Sequence, residues 1–156
     1  MKIGIIVHSQ TGHTLSVAEK ILEKLTSRGH LVMIEKLTVL GEAKPGMKEI
    51  AFGTLPDLRK YDAFIFASPV EAFSLSAAMM GYLGQIPSLN SKNAACFVTQ
   101  HFPYPWMGGN RSAKQMKHIL VKKEATIVGT GVINWVNATK REQQISELAN
   151  RFESLF

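Results

Sequence analysis

The sequence predicts an α/β domain in three layers, with helices covering both faces of a five-stranded parallel sheet, and three observations carry that expectation. Short, almost uninterrupted apolar runs alternate along the chain with stretches of helical spacing, the order that right-handed β-α-β crossovers produce. The strand-like runs lack a polar alternate position, as strands buried on both faces do. The chain has 156 residues, 46% of them hydrophobic, which suits one domain with one substantial core, so residues 1–156 are read as a single unit.

The first strand is Lys2 to Val7, KIGIIV, with four β-branched residues in six. Leu15, Ala18, Leu22 and Leu25 then recur at helical spacing beside Val17 and Ile21, and Gly29 follows as a left-handed stop. Leu31 to Leu37 reads as the second strand. Between Thr38 and Tyr61, Pro45, Gly46, Gly53 and Pro56 interrupt any long helix and leave room for a short helix or turn at most. Asp62 to Ser68 is the third strand, followed by a helix from Ser76 to Leu83 with Gly84 near its end. Asn93 to Gln100 is the fourth strand, with a helix from Asn110 to Lys122. The run ATIVGTGVI is the fifth, and a terminal helix from Lys140 to Leu155 completes five β-α pairs.

In such sheets ligands sit beyond the carboxyl ends of the strands. Three segments therefore form one candidate rim: Ser9 to Thr14, Ser68 to Phe73, and Thr99 to Gly109. The first, within VHSQTGHT, joins a strand to its crossover helix, where free N–H groups and the positive helix end point outward and invite an anion. It lacks the Gly-Lys-Ser/Thr ending of a Walker loop and has one glycine where a dinucleotide fingerprint needs three. The loop directly after the first strand holds no cysteine, which excludes a cysteine phosphatase, and Ala67 and Ser68 stand where a receiver domain needs aspartate. Two readings of the turn remain. Either Thr11 caps the helix and the rest is solvated, or the Ser9, Thr11 and Thr14 hydroxyls join backbone amides in holding a monophosphate.

SQTGHT resembles the FMN-phosphate loop of the flavodoxin-like family, Ser/Thr-x-Thr-Gly-x-Thr. ASPVEAFSLSAAMMGYL resembles that family's second flavin loop, and CFVTQHFPYPWMGGNRSAKQMKHIL resembles its third loop with the helix behind it. The three follow in the family's order and span nearly the whole chain. The resemblance implies a sheet order 2-1-3-4-5 and FMN as cofactor. Its phosphate would lie on Ser9, Gln10, Thr11, Gly12, His13 and Thr14. Its ring would lie among Ser68, Pro69, Val70, Glu71, Ala72 and Phe73 on one loop and Thr99, Gln100, His101 and Phe102 on the other. A nearly neutral segment rich in Phe, Pro and Gly suits such a ring. Phe73 and Phe102 are the candidate ring-stacking pair, and Glu71 stands where a large ring-contacting side chain is often found. That substitution implies weaker or more exposed FMN binding. His101 is the imidazole placed to donate a proton, His118 being the other near the rim. Trp106 would cover the site or anchor a partner.

The function implied is electron transfer or flavodoxin-like oxidoreduction, with an NAD(P)H-dependent quinone or flavin reductase and a non-redox anion-binding module as the competing readings. Electron-carrying flavodoxins are typically acidic, whereas this chain has a net charge of +6, so no partner surface carries over. From Tyr61 to Gly109 the only charged residues are Asp62, Glu71 and Lys92, while Arg111, Lys114, Lys117, Lys122 and Lys123 precede any further acid. Arg111, Lys114 and Lys117 form a stripe at helical spacing, a solvated face or a docking patch for a redox partner protein or NAD(P)H. No nucleic-acid motif accompanies the charge. Cys96 is expected in a buried strand, and His8, His13, His30, His101 and His118 lack metal-ligand spacing, so no metal is assigned. No apolar run reaches a membrane span and no signal-peptide pattern precedes the first strand, so a cytoplasmic protein without a membrane partner is expected.

Overall fold

The computed structural model describes residues 1–156 throughout. Five strands build the central parallel sheet: β1 (Lys2–Val7), β2 (Leu31–Lys36), β5 (Ala63–Glu71), β7 (Asn93–Gln100) and β8 (Thr126–Asn134), in the order β2-β1-β5-β7-β8. Counting these five alone, the order is 2-1-3-4-5, as the resemblance implied. Successive strands are paired so that Val7 lies beside Ala67, Pro69 beside Thr99 and Gln100 beside Asn134. Parallel pairing thus delivers the carboxyl ends of β1, β5, β7 and β8 to one edge.

Alternation along the strands divides the core. Ile3, Ile5, Val7, Ile65 and Phe97 face α1 (His13–Ser27) and α4 (Ala138–Leu155), where Val17, Ile21, Leu25, Leu148 and Phe152 close over them. Ile6, Phe64, Phe66, Cys96 and Val98 face α2 (Ala77–Gln85) and α3 (Gly109–Lys122), packed against Met79, Leu83, Met116 and Leu120. Cys96 is buried in β7 as expected, and burial pushes its thiol up to about 12. No helix is long and apolar enough to cross a membrane.

The expectation of five β-α pairs is corrected at the second. The β2-to-β5 crossover carries no α-helix. It folds as a two-stranded antiparallel ribbon, β3 (Val39–Leu40) with β4 (Ala51–Phe52), and a 3₁₀ turn at Leu58–Lys60 capped by the Asp57 carboxylate. The prolines and glycines of this segment deny it a continuous helical hydrogen-bond ladder. The sheet face left open is covered by Tyr61, whose ring lies flat on the β1 backbone at Gly4. A Cβ added there would sit 2.8 Å from the ring. The Tyr61 hydroxyl donates to the Glu35 carboxylate on β2. A second departure extends β5 to Glu71 and folds it back into a two-residue strand, β6 (Ser74–Leu75), a hairpin hidden in the sequence because its apolar residues run on from the strand.

Gly4 is therefore a packing requirement of the missing helix. Gly4→Ala should force the Tyr61 ring off the sheet and cost about 1–3 kcal/mol of stability, the usual range for overpacking. Urea unfolding of the two proteins measures it, and an unchanged midpoint would mean that the ring does not seal this face.

Candidate functional site

The turn between β1 and α1 is built from unpaired donors. Gly12 is the N-cap of α1, with φ 88°, and it supplies no side-chain cap. The helix ladder starts only with the bond from the Ser16 N–H to the Gly12 carbonyl. From Ser9 to Thr14 no backbone N–H meets a protein acceptor; the next one, Leu15, reaches Ser9 Oγ at a long 3.4 Å. Thr11 does not cap the helix, and the first turn carries no acid. By contrast α2 is capped by Ser76 and α4 by Asn137. Six consecutive free amides at a positive helix end make an anion cradle. Gly12 leaves open space above it, with nothing within 4 Å of where a Cβ would stand.

Of the hydroxyls expected to face the anion, Thr11 is exposed and Thr14 is buried, sharing a 2.8 Å hydrogen bond with Thr99 Oγ1. That bond ties α1 to the end of β7. Gln10 reaches across to Glu71, whose other oxygen accepts from the Ala77 N–H at 3.1 Å. Glu71 thus latches the first loop to the start of α2. Burial pushes its carboxyl above the usual range, and the two hydrogen bonds oppose that.

Ala72 and Phe73 form the tip of the β5-β6 hairpin, both left-handed, with φ 46° and 61°. Side chains there cost about 1–3 kcal/mol each, strain that persists only where the surroundings hold it. Gly108 holds it: a Cβ on that residue would come within 2.7 Å of the Phe73 Cα. The Phe73 ring is half exposed and stacks on Phe102, with centroids 5.1 Å apart and planes 13° from parallel. A flat ring between them would need about 7 Å, two carbon contacts deep, so in this conformation they cover each other.

The third loop hangs on Gln100. Its buried amide nitrogen stands within hydrogen-bond reach of three acceptors, the carbonyls of Phe102 and Tyr104 and Asn134 Oδ1, which share its two hydrogens, while its Oε1 is buried against Gly109 without a partner. His101 is exposed beside Phe102, and Tyr104 and Trp106 stack on each other in solvent, Trp106 with 73% exposure. Behind this loop, Asn110, Lys114 and Lys117 of α3 line a groove of about 290 Å³ with Thr130 of β8, and Arg111 is exposed in the first turn. None of Arg111, Lys114 and Lys117 is paired with an acid.

A cleft of about 180 Å³ gathers Gln10, Thr11, His13, Thr14, Pro69, Val70, Thr99, Gln100 and His101. A larger groove of about 480 Å³ between α1 and α4 is lined mainly by Lys20, Glu23, Lys24, Ser27 and Glu142, and no strand end reaches it. Three residues of the rim escaped the sequence reading. Trp135, just past β8, stacks on His13 at 4.1 Å and 12°, with the Arg141 guanidinium 4.6 Å from the same indole. The rule that pointed to the other strand ends applies equally to the fifth, and would have found Trp135.

His8 is the third. It is 5% exposed, and its Nδ1 lies 2.9 Å from Ser76 Oγ. That hydroxyl also accepts from the Met79 N–H at 3.2 Å and lies 2.8 Å from Ser68 Oγ. Ser68, expected to meet a ring, is fully buried in this chain of hydroxyls.

Solved structures share this fold from end to end. A flavodoxin from Streptococcus pneumonia TIGR4 matches with 17% identity and a TM-score of 0.70, each chain covered completely. Flavodoxin 2 from Bacillus cereus matches over both full chains with 21% identity and a TM-score of 0.70. A Lactobacillus acidophilus flavoprotein solved in complex with FMN matches over 92% of this chain and 97% of its own, with 15% identity and a TM-score of 0.63. No family model matches the sequence, and no curated protein matches it. The fold is flavodoxin-like.

Burial holds the His8 pKa below its ordinary 6.5, so its neutral form contributes stability that is fully present above that value and is lost as pH falls through the lower, folded one. His8→Asn keeps a hydrogen-bonding group toward Ser76 without the titration. Urea midpoints between about pH 7.5 and pH 5 should show the parent losing stability relative to this variant on acidification. A difference that stays constant with pH would show that His8 charges in the fold without penalty.

Proposed function

We propose that the protein is an FMN-binding flavoprotein acting in electron transfer or flavodoxin-like oxidoreduction. The observation that carries this reading is the run of six unpaired amides from Ser9 to Thr14 at the uncapped start of α1, inside a fold shared with flavodoxins. The residues fit the group. Free N–H donors, the exposed Thr11 hydroxyl and the open space over Gly12 suit a phosphate ester. Val70 lines the cleft, Phe73 and Phe102 would offer apolar faces to a flat ring once parted from each other, and Gly108 sets how far the hairpin tip stands off.

FMN, when bound, supplies the redox chemistry, and the chain's own residues hold and insulate it. The amide cradle would take the phosphate, the hairpin and third loop would bear on the ring, and His101 on that loop would be the imidazole offered for a proton. Unpaired Arg111, Lys114 and Lys117 favour an anionic redox partner, either an acidic protein surface or the phosphates of NAD(P)H.

FMN and riboflavin titrations, followed by flavin fluorescence, test the reading. A hydrogen bond to a charged group contributes about 1.5–3 kcal/mol, so Thr11→Val should weaken FMN at least about tenfold and riboflavin much less. Equal losses would remove the phosphate from this turn, and a protein that takes up neither flavin is the non-redox module. For the docking surface, reduction of the bound flavin by NADPH should slow with added salt. In Arg111→Gln, Lys114→Gln, Lys117→Gln it should be slower and nearly salt-independent. Parallel salt curves would return the stripe to solvent.

A further inference from the structure

Within the anion cradle one residue carries a titratable ring. His13 occupies the first position of α1, lines the cleft, and is held by its stack on Trp135 at 4.1 Å. Trp135 is itself fixed from two sides. Its backbone N–H donates to the Gln100 carbonyl at 2.8 Å, its backbone carbonyl accepts from Arg141 Nη1 at 2.9 Å, and the same guanidinium lies 4.6 Å from the indole. The imidazole is thus positioned before any ligand arrives. The ionisable groups nearest it are basic: Arg141 on α4, and His101 on the third loop across the same cleft. Glu142, 3.9 Å from Arg141, is mostly exposed, and Glu71 is engaged by Gln10 and Ala77.

On the reading of this turn as a phosphate site, we infer that His13 is a proton-linked ligand of the bound anion, so that a dianionic phosphate or sulfate enters together with a proton on the imidazole. Without ligand, burial first, then the neighbouring Arg141 and His101, hold the His13 pKa below 6.5, so near neutral pH the ring is mostly uncharged. A dianion at the adjacent amides reverses this balance and draws a proton onto the ring. By linkage, affinity is highest below the free-state pKa and falls as pH rises from there to the ligand-bound value, tenfold for each unit by which the anion raises it. The consequence is a cofactor or anionic ligand released by alkalinisation, and a phosphate site with a switchable charge in place of a fixed cation.

The test uses the parent protein and two probes. Sulfate stays dianionic throughout the range and isolates the imidazole from the phosphate's own titration near about pH 6. The His13 ring pKa is read by ¹H–¹⁵N NMR in sulfate and in chloride of equal ionic strength, with His30 and His118 as internal references. We expect sulfate to raise it by about one unit or more, tenfold in affinity over the full window, with the references unmoved. FMN titration calorimetry near about pH 7, where its phosphate is mostly dianionic, in buffers of different ionisation heat should show net proton uptake, absent in His13→Asn. A sulfate-insensitive His13, or FMN binding without proton uptake, overturns the inference. A His13 pKa raised by sulfate in a protein that ignores FMN upholds it and overturns the flavin reading alone.

Discussion

A helix begins with backbone N–H groups that its own ladder cannot satisfy, and α1 leaves them to whatever the cleft holds. Free amides from Ser9 to Thr14, with no side-chain cap and no acid in the first turn, are a standing demand for an acceptor at one point of the surface. The rest of the rim is arranged around that point. Thr14 is bonded to Thr99, Gln10 to Glu71, and Glu71 to the start of α2, so hydrogen bonds link the turn before α1 to the β5-β6 hairpin and to the end of β7. The other face of α1 is anchored by Val17, Ala18, Ile21 and Leu25 in the core beneath, which fixes where the amides point.

Strain is kept where the ring-bearing loops meet. Ala72 and Phe73 adopt conformations that glycine and asparagine normally supply, and the hairpin keeps them because β6 pairs with β5 and the Gly108 backbone closes against Phe73. Aromatic residues therefore sit at solvent on a rigid support. Buried beneath them, the His8, Ser76 and Ser68 side chains satisfy one another, so the polar strand ends do not weaken the sheet that carries the loops.

Much of this was legible in the sequence, and the reasons are specific. The five main strands and four helices declared themselves through long apolar runs and 3.6-residue spacing, and the rim followed from parallel order alone. The crossover after β2 was not legible. Its cover is Tyr61 lying on Gly4, a contact between residues far apart in sequence that no local pattern encodes. The β5-β6 hairpin was hidden for the opposite reason, since its turn lacks the Asn-Gly signal that marks such turns. At the site, the loop motif located the donors, but not that Thr14 and Gln100 are spent on internal bonds. The stack of Trp135 on His13 joins the fifth strand end to the first, and spacing could not reveal it.

The central claim is that the uncapped turn before α1 is the seat of the ligand's anion. Backbone amide shifts measured during titration with inorganic phosphate, and then with FMN, test it most directly. Both ligands should move the amides of Ser9 to Thr14, with FMN alone adding Val70 to Phe73 and His101 to Phe102. Shifts confined to the α1-α4 groove around Lys20 and Lys24, with the turn unmoved, would contradict it.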